Sequence, residues 1–368
     1  MSGFVRVAGF AGQPAKSALR GKVWEPLPRR SRFRGDGHAV APWRSKLHLY
    51  AQGTWDGWRT QLSEGKRSPR PRLAKFFGPS DYSLANLDRG VLFCQHYAAY
   101  NDPFEFWANL LTGIPDFVEQ RERFQAALQA WGYDPILSSD PESLEGSIAE
   151  AREYFEECAL YAPPFEEMCD SFRLTCFTKD VGQLLMWSHY ADGLRGFAVV
   201  FDEKELLSGR DDSFFLDVTY RSTPPEVDTL VYGVLWDQED YHLKAIEEER
   251  SVQKSRGQRG RPPANPDYKA VADDALKRMR QMWQQVFATK PKEWCYERER
   301  RLLVHSAKTD TSPIFLDYPG AAVREVILGE RMEAAFRNRL LGIVRQRFPH
   351  ASVRTAHRSQ NLYSLRIE

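Results

Sequence analysis

Residues 173–201 read RLTCFT, then KDVGQLLMWSHYADGLR, then GFAVVF, and this stretch decides the fold. Arg173–Thr178 alternates as a strand with β-branched and aromatic members. Residues 182–192 carry helical spacing, with Gly193 as the C′ stop, the position where a left-handed backbone ends a helix. Residues 196–201 are apolar enough to form a strand buried on both faces. Strand, helix and strand therefore follow one another within thirty residues. Working outward, Arg72–Phe77 and residues 90–95 read as further strands, and residues 116–132 and 141–160 as helices. Ser139-Asp140-Pro141-Glu142 offers a capping pattern for the second of these. Downstream, residues 214–220 and 297–304 read as strands, and residues 241–250 and 266–288 as helices. The end of the chain reads strand (323–328), helix (331–346) and two strands (352–356 and 362–367). Strands of mixed spacing interrupted by helices predict an α+β fold, a mixed β-sheet core flanked by helices.

The chain has 368 residues and 42% hydrophobic content, enough for a large core without staples. Its 51 basic and 50 acidic residues leave a net charge of +1, which excludes whole-protein electrostatics as the basis of nucleic-acid or membrane binding. The charge is uneven. Residues 1–48 hold ten Lys or Arg against Glu25 and Asp36. We therefore divide the chain into a basic, partly disordered N-terminal extension, 1–46, and a single α+β domain, 47–368. A mobile basic excursion is expected at 251–265, where SVQKSRGQRGRPPAN breaks two helical patterns. The extension is a candidate arm for nucleic acid. No apolar run is long enough for a membrane helix, and no secretory signal opens the chain. The five cysteines form no CxxC pair, a pattern that fits a reducing cytoplasm.

Four clusters could carry chemistry. In Tyr100-Asn101-Asp102-Pro103-Phe104-Glu105, Asp102 would cap a helix starting at Pro103, or Asn101 and Asp102 would face a ligand. In the 185–193 segment, Trp187 and Tyr190 are candidates to stack a flat ring, and His189 to donate to a phosphate or base. In Lys290–Arg301 (KPKEWCYERERR), a strand from Tyr296 onward would put Glu297, Glu299 and Arg301 on one face, suited to a site or to an ion-pair ladder. Glycine-rich phosphate loops and His/Cys metal spacing are absent, and no metal site is predicted. A carboxylate-only Mg²⁺ site could be built from Asp102, Glu105, Glu297 and Glu299.

Taken in order, these clusters resemble the bacterial domain-of-unknown-function family numbered 2971. Its opening "LYKY" strand corresponds to Leu73–Phe77, and "fNDPFE" is present whole as Tyr100–Glu105. "CFs…nllMWshYadghkGf" appears as Cys176–Thr178 and then Leu184–Phe197. "K…W.yE.EyR" appears as Lys290, Trp294, Tyr296, Glu297, Glu299 and Arg301, with Arg300 where an aromatic is usual. "VilG" is Val326–Gly329. The resemblance spans residues 72–366 and leaves out the extension and the 251–265 excursion.

The strand–helix opening and the Glu-x-Glu pair also resemble ADP-ribosyltransferase-like domains, which would extend that likeness to the fold. That resemblance implies NAD as the substrate, with Glu299 stabilising the cationic ribose as the N-glycosidic bond breaks. Glu297 would orient the acceptor. Trp187 or Tyr190 would stack a ring, Lys75 or His189 would contact the diphosphate, and Asn101, Asp102 and Arg301 would complete the nucleotide contacts. The expectation is a cytoplasmic NAD-consuming or ADP-ribosyltransferase-like enzyme, of the kind used as a toxin or anti-phage effector. A Mg²⁺-dependent nuclease and a non-catalytic nucleotide or nucleic-acid sensor are the rival readings.

Overall fold

The computed structural model describes residues 72–132, 141–161, 163, 165–257, 267–308 and 310–368. The extension 1–46, the capping residues Ser139 and Asp140, and most of the 251–265 excursion lie outside them. In chain order the first elements are β1 (Arg72–Phe77), α1 (Asp81–Arg89), β2 (Val91–Cys94), β3 (Asn109–Leu111), α2 (Arg121–Trp131), α3 (Pro141–Cys158), α4 (Phe165–Asp170) and β4 (Phe172–Thr178). Then come α5 (Leu184–Tyr190), β5 (Phe197–Asp202), α6 (Glu203–Leu206), β6 (Ser213–Asp217), β7 (Thr219–Arg221), β8 (Glu226–Asp228), α7 (Thr229–Ser255) and α8 (Asp267–Phe287). The last are β9 (Thr289–Pro291), β10 (Glu299–His305), β11 (Ile314–Asp317), β12 (Val323–Gly329), α9 (Ala334–Arg347), β13 (Ser352–Arg358) and β14 (Leu365–Ile367).

Eight strands form one sheet in the order β14-β13-β12-β5-β1-β4-β10-β6. The β12–β13 pair is parallel, and its neighbours are antiparallel, so the expected mixed sheet is present. Side-chain alternation gives the sheet two packed faces. On one, Leu73, Phe177, Phe201, Phe215 and Leu302 bury against Leu84 and Leu87 of α1 and Phe336, Leu340 and Val344 of α9. The other face has two apolar parts. Leu174, Phe214, Leu216 and Leu303 pack under α7 and α8, while Ala74, Phe76, Ala198 and Ile327 pack under Trp187 of α5. Between these parts lie Glu299 and Arg301, paired across strands with Thr178 and Cys176. The charged cluster thus fills the seam of an otherwise apolar face.

Four sequence expectations need correction. No helix starts at Pro103: Asp102 Oδ1 accepts the Phe104 N–H at 2.9 Å, and Phe106 takes a left-handed φ of 57°, so a single turn forms. Residues 214–220 are not one strand, because β6 joins the large sheet and β7 pairs with β9. Glu297 is not in a strand. It ends a 3₁₀ turn, Lys292–Glu297, and Arg298 then takes φ 44° before β10 begins. Helix α5 is also shorter than expected, because Asp192, Gly193 and Leu194 all have positive φ. The chain then passes Gly196, where a Cβ would sit 2.0 Å from Phe77 O. Only glycine permits that approach.

Candidate functional site

The ion network is built around Arg301, which is 0% exposed. Its Nε donates to Glu299 Oε1 at 2.8 Å, and its Nη1 and Nη2 donate to Glu105 Oε1 and Oε2 at 2.5 and 3.2 Å. Nη1 also donates to Phe287 O at 2.5 Å. Strand alternation aims Glu299 and Arg301 at the same face, whereas Glu105 arrives from the NDPFE turn 196 residues away. Lys290 of β9 supplies the second cation, 2.7 Å from Glu299 Oε2, 2.9 Å from Glu297 Oε2 and 3.9 Å from Glu105 Oε2. Tyr190 at the end of α5 donates its hydroxyl to Glu297 Oε1 at 2.5 Å. Tyr220 of β7 accepts the Glu299 N–H at 2.8 Å. The left-handed Arg298 turns both Glu297 and Glu299 inward, so the two reach Lys290 from successive local structures.

Burial acts on every charge here. It pushes the Glu105 carboxyl up, and neither Arg301 nor Lys290 fully reverses that. Burial pushes the same way at Glu299, but Arg301 and Lys290 outweigh it and hold the carboxyl well below the usual range. Burial alone would depress Lys290, yet the surrounding acids, Glu299 first, together outweigh it and the ammonium is held charged. Glu299, Lys290 and Arg301 are therefore held firmly ionised, whereas burial leaves the Glu105 carboxyl with a raised pKa.

The three long motifs of the sequence meet here, through Glu105, Tyr190 and the Lys290–Arg301 segment. The individual candidates are placed less evenly. Trp187 is fully buried, edge-on to Phe76, with its Nε1 donating to Val181 O at 2.7 Å. Lys75 lies over the Phe177 ring on the opposite face of the sheet, and its Nζ donates to Cys176 O at 3.2 Å. Burial lowers its pKa. Asp102 is buried, and its Oδ2 has no hydrogen-bond partner. Asn101 is exposed in the loop ahead of it. The carboxylate set proposed for Mg²⁺ has its Glu105, Glu297 and Glu299 oxygens on Arg301, Lys290 and Tyr190, and no group of His, Cys, Asp or Glu among the described residues is placed to hold a metal ion.

His189 is exposed and belongs to a chain of rings over the network. Its centroid lies 6.4 Å from Tyr190 and 6.0 Å from Tyr296, and Trp294 lies 6.2 Å from Tyr296. Lys290 Nζ sits 5.5 Å from the Trp294 ring. Tyr190, Trp294 and Tyr296 are all half-buried. Sequence reasoning passed over Trp294, Tyr296 and Lys290 as site residues, although all three stand in the motif that drew attention to Glu299. Nothing in the sequence pointed to Tyr220.

The model of the family described as "Protein of unknown function (DUF2971)" matches residues 186–302. The resemblance to that family holds over this segment, which runs from within α5 to within β10 and so contains every network residue except Glu105. No curated protein and no solved structure matches the chain. No helix among the described residues is long and apolar enough to cross a membrane.

Proposed function

We propose that the protein binds a nucleotide through the ring cluster of Tyr190, His189, Tyr296 and Trp294, and that the buried ion network below holds those rings in place. The observation that carries this reading is their accessibility: three half-buried rings and one exposed imidazole, each within 6.4 Å of the next, stand above a closed set of charges. Half-exposed aromatic rings give flat heterocycles a stacking surface. The exposed imidazole adds a donor for phosphate. A non-catalytic sensor has this arrangement's support over hydrolysis, because Glu299 is enclosed by Arg301 and Lys290. A cytoplasmic setting is supported by the five free thiols.

An NAD-consuming reaction has one specific support, the Tyr190–Glu297 hydrogen bond. It brings a carboxylate to the base of the rings, where it would stabilise a ribose cation as nicotinamide leaves and water adds to the ribose carbon. Glu297 would then take the role that the ADP-ribosyltransferase resemblance implies for Glu299. Calorimetric titration of the full chain with NAD, ATP and AMP, with nicotinamide release followed in parallel, tests both. Binding that weakens about tenfold or more in Tyr296→Ala and Trp294→Ala supports the ring site, since one base–ring stack is worth about 1–3 kcal/mol. Nicotinamide release that disappears in Glu297→Gln establishes the enzyme. Nucleotide binding that is absent, or indifferent to both ring variants, overturns the reading.

A further inference from the structure

Behind the network, strands β7 and β9 run parallel and pair Thr219 with Thr289 and Tyr220 with Lys290. Alternation sends Tyr220 and Lys290 toward Glu299. It sends Thr219, Arg221 and Thr289 to the other side, where they line a cavity of about 200 Å³. Helix α8 forms the facing wall with Gln281, Gln284 and Gln285, and Ala288 follows its last turn. The three glutamines, spaced i, i+3 and i+4, make one helical stripe, while Met279, Trp283, Val286 and Phe287 bury the opposite one.

The chemistry of the lining is selective. Asp217 at the rim is neutralised by Lys179 at 2.5 Å and Arg300 at 2.8 Å. Arg221 is exposed and makes no ion pair with any described residue, so the free charge of the cavity is positive. The three amides are neutral, and each can donate and accept. No side-chain hydrogen bond to another described residue occupies them. The volume lies below the roughly 300 Å³ at which drug-sized pockets begin.

We propose that this cavity binds a small hydroxylated anion, with Arg221 taking its phosphate or carboxylate and the glutamine amides and threonine hydroxyls reading its hydroxyl groups. A planar guanidinium pairs with either anion through two parallel hydrogen bonds. Amides and hydroxyls match the paired donor and acceptor of an alcohol. The site is independent of the ring cluster, from which β7 and β9 separate it.

Calorimetry and thermal unfolding of the full chain with ribose 5-phosphate, gluconate, ribose and inorganic phosphate form the test. Ribose 5-phosphate or gluconate should bind and raise Tm, and the better of the two identifies the anion. Arg221→Gln should weaken that binding about tenfold or more, and Gln284→Leu about threefold to tenfold. Both side chains are exposed, so the unliganded Tm should stay at the wild-type value. Tyr296→Ala should leave this binding unchanged, which separates the site from the nucleotide reading. Binding of neither compound, equal binding of inorganic phosphate alone, or indifference to both variants would overturn the proposal.

Discussion

Strand β10 carries two arginines side by side, and the sheet treats them in opposite ways. Arg301 points into the seam between two apolar cores, and its guanidinium meets Glu299 and Glu105 with no exposure of any of its atoms to solvent beyond 0%. Arg300 points to the other face, where it meets Glu203 at 2.6 Å and Asp217 at 2.8 Å at the margin of the sheet. The Asp217 side chain is 54% exposed. Both are one guanidinium held by two carboxylates. What differs is the water each partner has given up, and that difference decides what each cluster is worth. An ion pair at the edge exchanges hydration for a modest Coulomb gain. A buried one has already lost its hydration, so its attraction is committed to offsetting that loss.

The largest effect should come from breaking the buried cluster. Arg301→Leu leaves Glu105 and Glu299 without their shared cation in a site closed to water, with Lys290 as the remaining counter-charge. We expect a loss of about 3–5 kcal/mol in denaturant-induced unfolding. A loss under about 1 kcal/mol would show that water reaches the seam and that the two clusters do not differ in kind.

The comparison sharpens within the buried cluster, because its two carboxylates should respond to pH with opposite signs. Glu299 has its folded pKa depressed from 4.5, so its contribution is present above about pH 4.5 and is lost as pH falls below it. The stability gap between wild type and Glu299→Gln should therefore narrow on acidification below that point. Glu105 has its folded pKa raised from 4.5, so its contribution is full below that value and declines as pH rises through the folded pKa. Glu105→Gln should accordingly gain on wild type as pH climbs from 4 toward neutrality, a window set by the direction of the Glu105 shift. Urea unfolding of both variants across this range gives the slopes. Two slopes of the same sign would mean that the proton is shared differently between the carboxylates.

Much of the sheet was legible because its strands announce themselves by composition: Phe197–Asp202 and Phe172–Thr178 are buried almost throughout. The start of α7 was not. Asp228 caps it by accepting the Leu230 and Val231 N–H groups, but the run TLVYGVLW after it is apolar on all sides and has no helical period. In the candidate site, the i, i+2 spacing of Glu299 and Arg301 was enough to bring them together. The inward turn of Glu297 was not readable, since it depends on a left-handed Arg298, and arginine gives no signal for that conformation. The partnership of Arg301 with Glu105 spans 196 residues. It is set by which loop covers the seam, a tertiary fact that local pattern does not carry.

The smallest effects belong to the margin, and they ask whether Arg300 is wholly of the exposed kind. Its own side chain is 12% exposed although its partners are more open, Glu203 at 22% and Asp217 at 54%, and it lies over the Phe215 ring at 5.4 Å. Arg300→Ala therefore removes apolar packing of the stem as well as charge. The expected loss is about 1 kcal/mol, of which only the electrostatic part should shrink as salt is raised. Lys179→Ala touches the same Asp217, but the Lys179 side chain is 41% exposed, and it should change stability by no more than a few tenths of a kcal/mol. Measuring both variants at low and high salt separates the contributions. If Arg300→Ala keeps most of its cost in high salt, the margin is held by the stem on Phe215, and the contrast with Arg301 is one of packing as much as of charge. If the cost vanishes with salt, the two arginines differ only in how much water their partners retain.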